Sequence, residues 1–147
     1  SAVRATGLPV IAAGGIASAE QVNALLAMGA AGVSVGTALL TTAESGACDA
    51  HRYYAEFGTA CDTVLTRIYN GRLSRVLRNA LVEALEDWEP MTAGYPAQKA
   101  LMGPLDRRAA EVGRTDLVML PLGQSAGRSA YRRTADCVHA LFPRSAD

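Results

Sequence analysis

The stretch LPVIAAGGIASAEQVNALLAMGAAGVSVGTALL, residues 8–40, decides how the rest of this chain is interpreted. It holds two short apolar runs, at 9–13 and 32–35, and each run leads into a glycine-containing loop. Between them, Ser18 and Gln21 have the spacing of a helix capping box, and apolar residues follow at helical intervals. About twenty residues separate the two runs, which is enough for a right-handed βαβ crossover. The pattern therefore predicts strand, loop, helix, strand, loop.

The helices of this first part can be delimited from their end signals. The first is predicted over 19–28, with Gly29 as the residue that ends it. The next is predicted over 47–57, with Thr42 or Ser45 as its N-cap. The first apolar run has the character of a strand that is buried on both faces.

The second part of the chain reads less regularly. A strand is predicted at 62–69, and the pair Asn70-Gly71 is a strong turn signal. Beyond the turn, helices are predicted over 74–88, over 95–112 with an interruption at Gly103-Pro104, and over 135–142.

Composition sets limits on the class of protein. The chain has 147 residues, of which 50% are hydrophobic and 19% charged, with a formal net charge of zero. This excludes a disordered chain and gives no electrostatic reason to expect nucleic acid or an anionic membrane as a partner. No apolar run reaches the roughly 20 residues of a membrane span. Cys48, Cys61 and Cys137 are too dispersed to predict a disulfide framework or a metal site, so a cytoplasmic location is expected.

The two glycine loops carry the chemistry. A phosphate group needs backbone N–H donors and no side chain in the way, which Gly14 and Gly15 provide. The following helix adds its N-terminal N–H groups and dipole. Gly36 and Thr37 repeat the arrangement one strand later, and the Thr37 hydroxyl adds a donor. The alternative is that these glycines only allow tight turns.

The count of βα units predicts the architecture. A complete (β/α)₈ TIM barrel needs eight units and about 250 residues, and its phosphate sites commonly lie in the loops after strands 7 and 8. The chain is therefore predicted to be α/β, with residues 1–60 forming the last two βα units of a barrel. Residues 61–147 are predicted to form a hairpin and a mainly helical C-terminal extension. A doubly wound sheet is the competing fold, and it needs more strands than the sequence offers.

Four segments together resemble one known family, the nitronate monooxygenases, formerly called 2-nitropropane dioxygenases. The resemblance covers nearly the whole chain in family order, and it extends to the flavin-dependent enoyl-reductases. The segments are PVIAAGGI, GVSVGTALL, DTVLTRIYNGRLSRVLRN and LGQSAG, at 9–16, 32–40, 62–79 and 122–127.

This resemblance implies an FMN-dependent TIM barrel that oxidises alkyl nitronates with O₂ to a carbonyl compound and nitrite. The implied partners are thus a small-molecule nitronate and O₂. The family's phosphate-binding segments map onto Gly14, Gly15, Ser34, Val35, Gly36 and Thr37, and its late Gly-Gln pair, near the flavin, onto Gly123 and Gln124. Ser34 and Val35 depart from the family pattern by replacing the usual Gln and Met, which leaves the backbone N–H groups to bind the phosphate. Pro121 and Leu122 also depart, since they stand where an aromatic residue and Ala are usual before the Gly-Gln pair.

The family's catalytic histidine is expected upstream of Ser1, so no catalytic residue is assigned within the chain. Two alternatives stay open. One is an enoyl-thioester reductase of the same superfamily, which uses a reduced nicotinamide nucleotide. The other is a non-catalytic fragment whose open strand edges predict self-association into a homo-oligomer or pairing with another chain.

Arginines surround the predicted Asn-Gly turn, at Arg67, Arg72, Arg75 and Arg78. They have two interpretations. They steer an anionic molecule toward a site, or they form a solvated face that is balanced by nearby carboxylates. The second interpretation is favoured.

Overall fold

A computed structural model of the chain describes residues 2–128 and 130–143. It contains six α-helices and four strands among those residues, which form two compact units. The first unit is Ser1–Ala60 with Gly123–Asp147, and the second is Cys61–Leu122. The elements are α1 (Ala2–Thr6), β1 (Ile11–Ala13), α2 (Ala19–Ala27), β2 (Gly32–Ser34), α3 (Asp49–Phe57), β3 (Thr63–Thr66), β4 (Ser74–Leu77), α4 (Ala80–Leu85), α5 (Ala97–Glu111) and α6 (Thr134–Leu141).

The chain from residue 123 onward belongs to the first unit, whereas the sequence grouped it with 61–147. The reason lies in α6, whose Cys137 and Leu141 are buried in the first unit's core. That core also contains the buried side chains of Ile16, Val22 and Ala38. Helix α6, although distant in sequence, thus packs into the same core as α2.

The predicted βαβ arrangement is present in the first unit. Strands β1 and β2 pair in parallel, with Ile11 opposite Gly32 and Ala13 opposite Ser34. Helix α2 connects them. Because the strands are parallel, the loops that follow them both leave from the carboxyl-terminal ends of the strands, on the same side of the sheet.

Helix α2 has the ends that its sequence predicts. The Ser18 hydroxyl accepts a hydrogen bond from the N–H of Gln21 at 3.4 Å, and the Gln21 side-chain oxygen accepts one from the N–H of Ser18 at 3.1 Å. This reciprocal pair is a capping box. At the other end, Gly29 has φ +94° and its N–H donates to the carbonyl of Leu26. A left-handed glycine is the usual way to satisfy the last carbonyls of a helix.

The sequence predicted that the first strand is buried on both faces, and this prediction is wrong. Ile11 is 58% exposed, and Ala13 is also exposed. The reason is that β1 pairs only with β2 in the part of the chain that the structure describes. One face and one edge of β1 therefore have no neighbour there.

Helix α3 begins later than predicted, after Cys48, and neither Thr42 nor Ser45 caps it. Those two residues hold the preceding loop instead. The Ser45 hydroxyl accepts from the N–H of Ala47 at 3.2 Å. The guanidinium of Arg52, in α3, donates to the carbonyls of Thr42, Ser45 and Ala47. Side-chain hydrogen bonds of Arg52 thus fix the loop against the helix.

The second unit contains the predicted hairpin, in which β3 and β4 are antiparallel with Thr63 opposite Leu77. Its loop covers 67–73 and includes the Asn-Gly turn. The helix predicted over 74–88 is wrong at its start, since Ser74–Leu77 is strand β4. Val76 is completely buried there and also bridges to Pro121, so β4 has backbone partners on both sides. Those pairings outweigh the helical spacing of its apolar residues.

Helix α5 runs without interruption from Ala97 to Glu111, so the break predicted at Gly103-Pro104 is wrong. Pro104 has no N–H to donate, and its ring crowds the carbonyl of the preceding turn, so it is unfavourable inside a helix. Gln98 and Ala109, on either side of it, are buried. The packing of both ends keeps the helix continuous.

The second unit has its own core, formed by the buried side chains of Ile68, Tyr69, Val76, Leu81 and Val82. No helix in the described part of the chain is long and apolar enough to cross a membrane. The three cysteines are free, with Cys137 buried and the other two exposed.

Candidate phosphate-binding site

The two glycine loops are open at the backbone. Gly14 and Gly15 have φ angles of +98° and +70°, a conformation that side chains disfavour. A Cβ built on Gly14, Gly15 or Gly36 meets no atom within 4 Å. The space over these three residues is therefore free of protein atoms and suited to a ligand that contacts the backbone.

A third segment joins these loops. The N–H of Gly123 donates a hydrogen bond of 2.9 Å to the hydroxyl of Thr37. A Cβ at Gly123 would lie 2.9 Å from that hydroxyl oxygen and 3.7 Å from the backbone nitrogen of Gly15. The structure thus brings together Gly15, Thr37 and Gly123, three positions that the sequence assigned to one site.

The remaining predicted residues differ in what they offer. Ser34 ends β2 and is exposed, whereas the side chain of Val35 packs against the core of the first unit. Val35 therefore presents only its backbone to a ligand. Gln124 is exposed in the turn after Gly123, and no hydrogen bond of its side chain to the rest of the described chain is present.

Several backbone donors of the loops are unengaged. Within residues 2–128 and 130–143, the N–H groups of Gly15, Gly36 and Thr37 make no hydrogen bond to protein. A short 3₁₀ helix begins at Thr37. Barrel phosphate sites commonly combine two such loops with the start of a short extra helix.

Helix α2 contributes less than the sequence predicted. The N–H groups of Ala17 and Ser18 both donate to the side-chain oxygen of Gln21, at 2.7 and 3.1 Å. The capping box therefore uses donors that the sequence interpretation assigned to a phosphate. Gln21 has a second role, because its side-chain nitrogen donates to the carbonyl of Gly15 at 3.2 Å. It thereby ties the first glycine loop to the helix.

Comparison with known proteins decides the family. The profile of the nitronate monooxygenase family matches residues 1–141. The chain belongs to the nitronate monooxygenase family. A protein named probable nitronate monooxygenase, from Staphylococcus aureus strain Newman, is 36% identical to it over 123 residues, which are 84% of this chain.

Solved structures agree with this family membership. Nitroalkane oxidase from Streptomyces ansochromogenes superimposes with a TM-score of 0.82 at 35% identity, over 94% of this chain. FabK from Thermotoga maritima superimposes with a TM-score of 0.72 at 28% identity, again over 94%. The chain thus has an α/β fold that resembles these enzymes of the TIM-barrel class.

These relatives and structural neighbours are longer than this chain. It spans 35% of the length of the Staphylococcus aureus protein, 39% of the nitroalkane oxidase chain and 44% of the FabK chain.

One candidate residue of this family member was missed by sequence reasoning. Ser125 is 2% exposed, and its hydroxyl is the one buried side-chain oxygen or nitrogen without a hydrogen-bond partner among the described residues. An unsatisfied buried hydroxyl costs about 1–3 kcal/mol. Ser125 follows the Gly-Gln pair directly, and that position was its only sequence signal.

A metal site has no comparable support. No group of three or more His, Cys, Asp or Glu side chains is placed to hold a metal ion in the described part of the chain.

Proposed function

We propose that this chain carries the FMN phosphate site of an enzyme that oxidises alkyl nitronates with O₂ to a carbonyl compound and nitrite. The convergence of Gly15, Thr37 and Gly123 around open backbone is the observation that carries the proposal. Family membership supports the nitronate chemistry. We further propose that the first unit is the C-terminal part of a (β/α)₈ barrel, with Ser1–Ala60 supplying its last two βα units.

The residues present fit a phosphate. The unengaged N–H groups of Gly15, Gly36 and Thr37 are the donors that a dianion requires, and no side chain occupies the space above the glycines. The Thr37 hydroxyl accepts from Gly123, so its own proton stays available for donation. FMN, when bound, supplies the redox chemistry between the nitronate and O₂.

The other predicted positions take supporting roles in this proposal. Ser34 and Val35 contribute their backbone N–H groups. The Val35 side chain packs against the core of the first unit and is not available to a ligand. We assign the exposed side chain of Gln124 to the flavin beyond its phosphate.

The test compares FMN with riboflavin, which lacks the phosphate. The purified chain is titrated with each, and the quenching of flavin fluorescence is measured. We expect FMN to bind and riboflavin to bind at least about tenfold more weakly, because each hydrogen bond to a charged group contributes about 1.5–3 kcal/mol. Equal affinities, or no binding of either flavin, would count against a phosphate site. Nitrite release from an alkyl nitronate by the flavin-loaded protein then tests the reaction.

The enoyl-thioester reductase remains the second candidate, and the likeness to FabK is the observation that bears on it. Its identity of 28% against 35% for the nitroalkane oxidase makes it the weaker one. Consumption of a reduced nicotinamide nucleotide, without nitrite release, would favour it. A chain that ignores both flavins and self-associates in size-exclusion chromatography would favour the non-catalytic fragment.

A further inference from the structure

A cavity of about 610 Å³ lies within the second unit, away from the glycine loops in sequence. This volume lies within the roughly 300–1,000 Å³ that small-molecule sites commonly have. Its lining comes from the hairpin loop and the start of β4, from α5 and the segment just before it, and from Met119. The lining includes Arg72, Lys99, Met102, Asp106, Arg107 and Met119.

One face of helix α5 forms a wall of this cavity. Lys99, Met102, Gly103, Asp106 and Arg107 all line it, and their spacing places them along one side of the helix. The guanidinium of Arg107 lies along the helix surface, since a Cβ at Gly103 would stand 3.4 Å from one of its nitrogens. Two cationic side chains and one methionine therefore face the cavity from a regular element.

The opposite wall is the Asn-Gly turn. Gly71 has φ +80°, and a Cβ there would lie 2.6 Å from the carbonyl oxygen of Ala93 and from the backbone nitrogen of Tyr95. Only glycine permits this close packing. Next to this close contact, the guanidinium of Arg72 lies 3.9 Å from the centre of the Tyr95 ring. The side-chain oxygen of Asn70 also accepts from the N–H of Arg72, at 2.8 Å, so the backbone that carries this cation is held in place.

The cations of the cavity are not neutralised by protein. Among the described residues, Arg72, Lys99 and Arg107 form no ion pair with a carboxylate within 4 Å. Asp106 is the single acidic residue of the lining, and it accepts a hydrogen bond of 2.8 Å from the N–H of Met119. The cavity is thus lined by three exposed cations and one carboxylate, so the charge of its lining is positive.

The other arginines near the turn behave differently. Arg78 pairs with Glu86 at 2.6 Å and Glu83 at 3.5 Å, and Arg67 lies 4.0 Å from Glu89. The interpretation as a balanced, solvated face therefore holds for those two arginines. Arg72 is exposed as well, but no carboxylate of the described residues pairs with it, and the guanidinium of Arg75 donates to the Thr63 hydroxyl at 3.0 Å.

We propose that this cavity binds an organic phosphate, with its phosphate held by Arg72, Lys99 and Arg107 and its apolar body against Met102 and Met119. Guanidinium groups bind phosphate through paired hydrogen bonds, and lysine adds a compact charge. Three cations match a dianion better than the single charge of a carboxylate. The site lies in the second unit and does not depend on the flavin proposal.

The test is calorimetric titration of the chain with 2-naphthyl phosphate, at low and at high salt. Binding is expected at low salt and should weaken as salt rises, because the contacts are ionic. Lys99→Gln and Arg107→Gln should each reduce affinity about tenfold, since each removes a hydrogen bond from a charged donor. Absence of binding, or affinities that these variants leave unchanged, would overturn the proposal.

Two controls locate the probe. Arg108→Gln is the matched control, because Arg108 follows Arg107 on α5, pairs with Glu111 at 3.1 Å and does not line the cavity. It should bind as the unchanged chain does. Gly36→Val blocks the glycine loops of the first unit, so the Lys99→Gln and Arg107→Gln effects are also measured in that background, where they should persist. Loss of all probe binding in Gly36→Val would assign the probe to the glycine loops and overturn the proposal. Equally tight binding of 2-naphthoate would overturn the phosphate assignment. Far-UV circular dichroism and thermal melting of each variant confirm that it is folded.

Discussion

The N–H of Gly123 donates to the hydroxyl of Thr37 at 2.9 Å and thereby joins two positions 86 residues apart. This is an ordinary hydrogen-bond length, but a Cβ at position 123 would lie 2.9 Å from the Thr37 oxygen, closer than side chains normally approach. A glycine in the late loop is therefore required by packing within the first unit, apart from any ligand. The same contact places the late loop beside Gly15.

Thr37→Val should destabilise the chain and weaken FMN binding. Valine has the shape of threonine but cannot accept from the Gly123 N–H, which costs about 1 kcal/mol in the free energy of unfolding. Urea unfolding and the FMN titration measure the two effects. Thr37→Ser keeps the hydroxyl and should restore both. Unchanged stability in Thr37→Val would mean that the bond contributes nothing.

Gly36→Val should weaken flavin binding without harming the fold. Gly36 has φ −121°, and a Cβ there meets nothing within 4 Å, so the fold does not need a glycine at this position. A side chain would nevertheless occupy the proposed phosphate space. Loss of one or two charged hydrogen bonds predicts a decrease of about tenfold to a hundredfold or more in FMN affinity.

Gly46 offers a matched control for that substitution. It also lacks a positive φ, and a Cβ there also meets nothing within 4 Å. Gly46→Val should therefore leave both thermal stability and FMN affinity as they are. If the two variants bind FMN equally well, Gly36 does not contact the phosphate.

Substitutions of Gln21 should separate its two roles. Gln21→Ala removes the capping box and should lower the free energy of unfolding by about 1 kcal/mol. Gln21→Glu keeps an acceptor for the N–H of Ser18, but it cannot donate to the carbonyl of Gly15. It should retain stability and bind FMN more weakly. A Gln21→Glu variant with normal FMN affinity would show that the tie to Gly15 does not shape the site.

The stability of the first unit should depend on the ionisation of Glu44. Hydrogen bonds from its own backbone N–H and from that of Thr134 hold the pKa of this carboxyl below its ordinary value of 4.5. Thr134 begins α6, where a negative charge is favourable. Because the pKa is lowered in the folded state, this stabilisation is present above pH 4.5 and is lost as the pH falls through the folded-state pKa.

The measurement compares the unchanged chain with Glu44→Gln in urea unfolding over a range of pH. The unchanged chain should be the more stable at neutral pH, and the difference should shrink as the pH falls below 4.5. A difference that is independent of pH would contradict an ionic role for Glu44.

The elements of the first 57 residues could be predicted because their signals are local. The capping box at Ser18 and Gln21 and the closing glycine at Gly29 lie within the helix that they delimit. The meeting of Gly15, Thr37 and Gly123 came from a resemblance between separated segments. Local spacing alone could not have joined position 123 to the two earlier loops.

The errors came where distant contacts override local preference. Residues 74–77 have apolar positions at helical spacing, yet they pair with β3 and with Pro121, which only the folded chain brings together. Pro104 was predicted to break a helix that buried neighbours keep continuous. The unpartnered hydroxyl of Ser125 and the cations that face one cavity could be found only in the folded structure, because local sequence patterns do not show which side chains are buried or paired.

The second unit, Cys61–Leu122, interrupts the first unit along the chain. It starts and finishes on the two flanks of β4, since the N–H of Arg78 donates to the carbonyl of Asp62 and the N–H of Leu122 donates to that of Arg75. During synthesis on the ribosome, all of this segment emerges before Gly123 can meet Thr37. We therefore expect flavin capture to be a late event in the biogenesis of the protein, after the inserted segment has had time to fold.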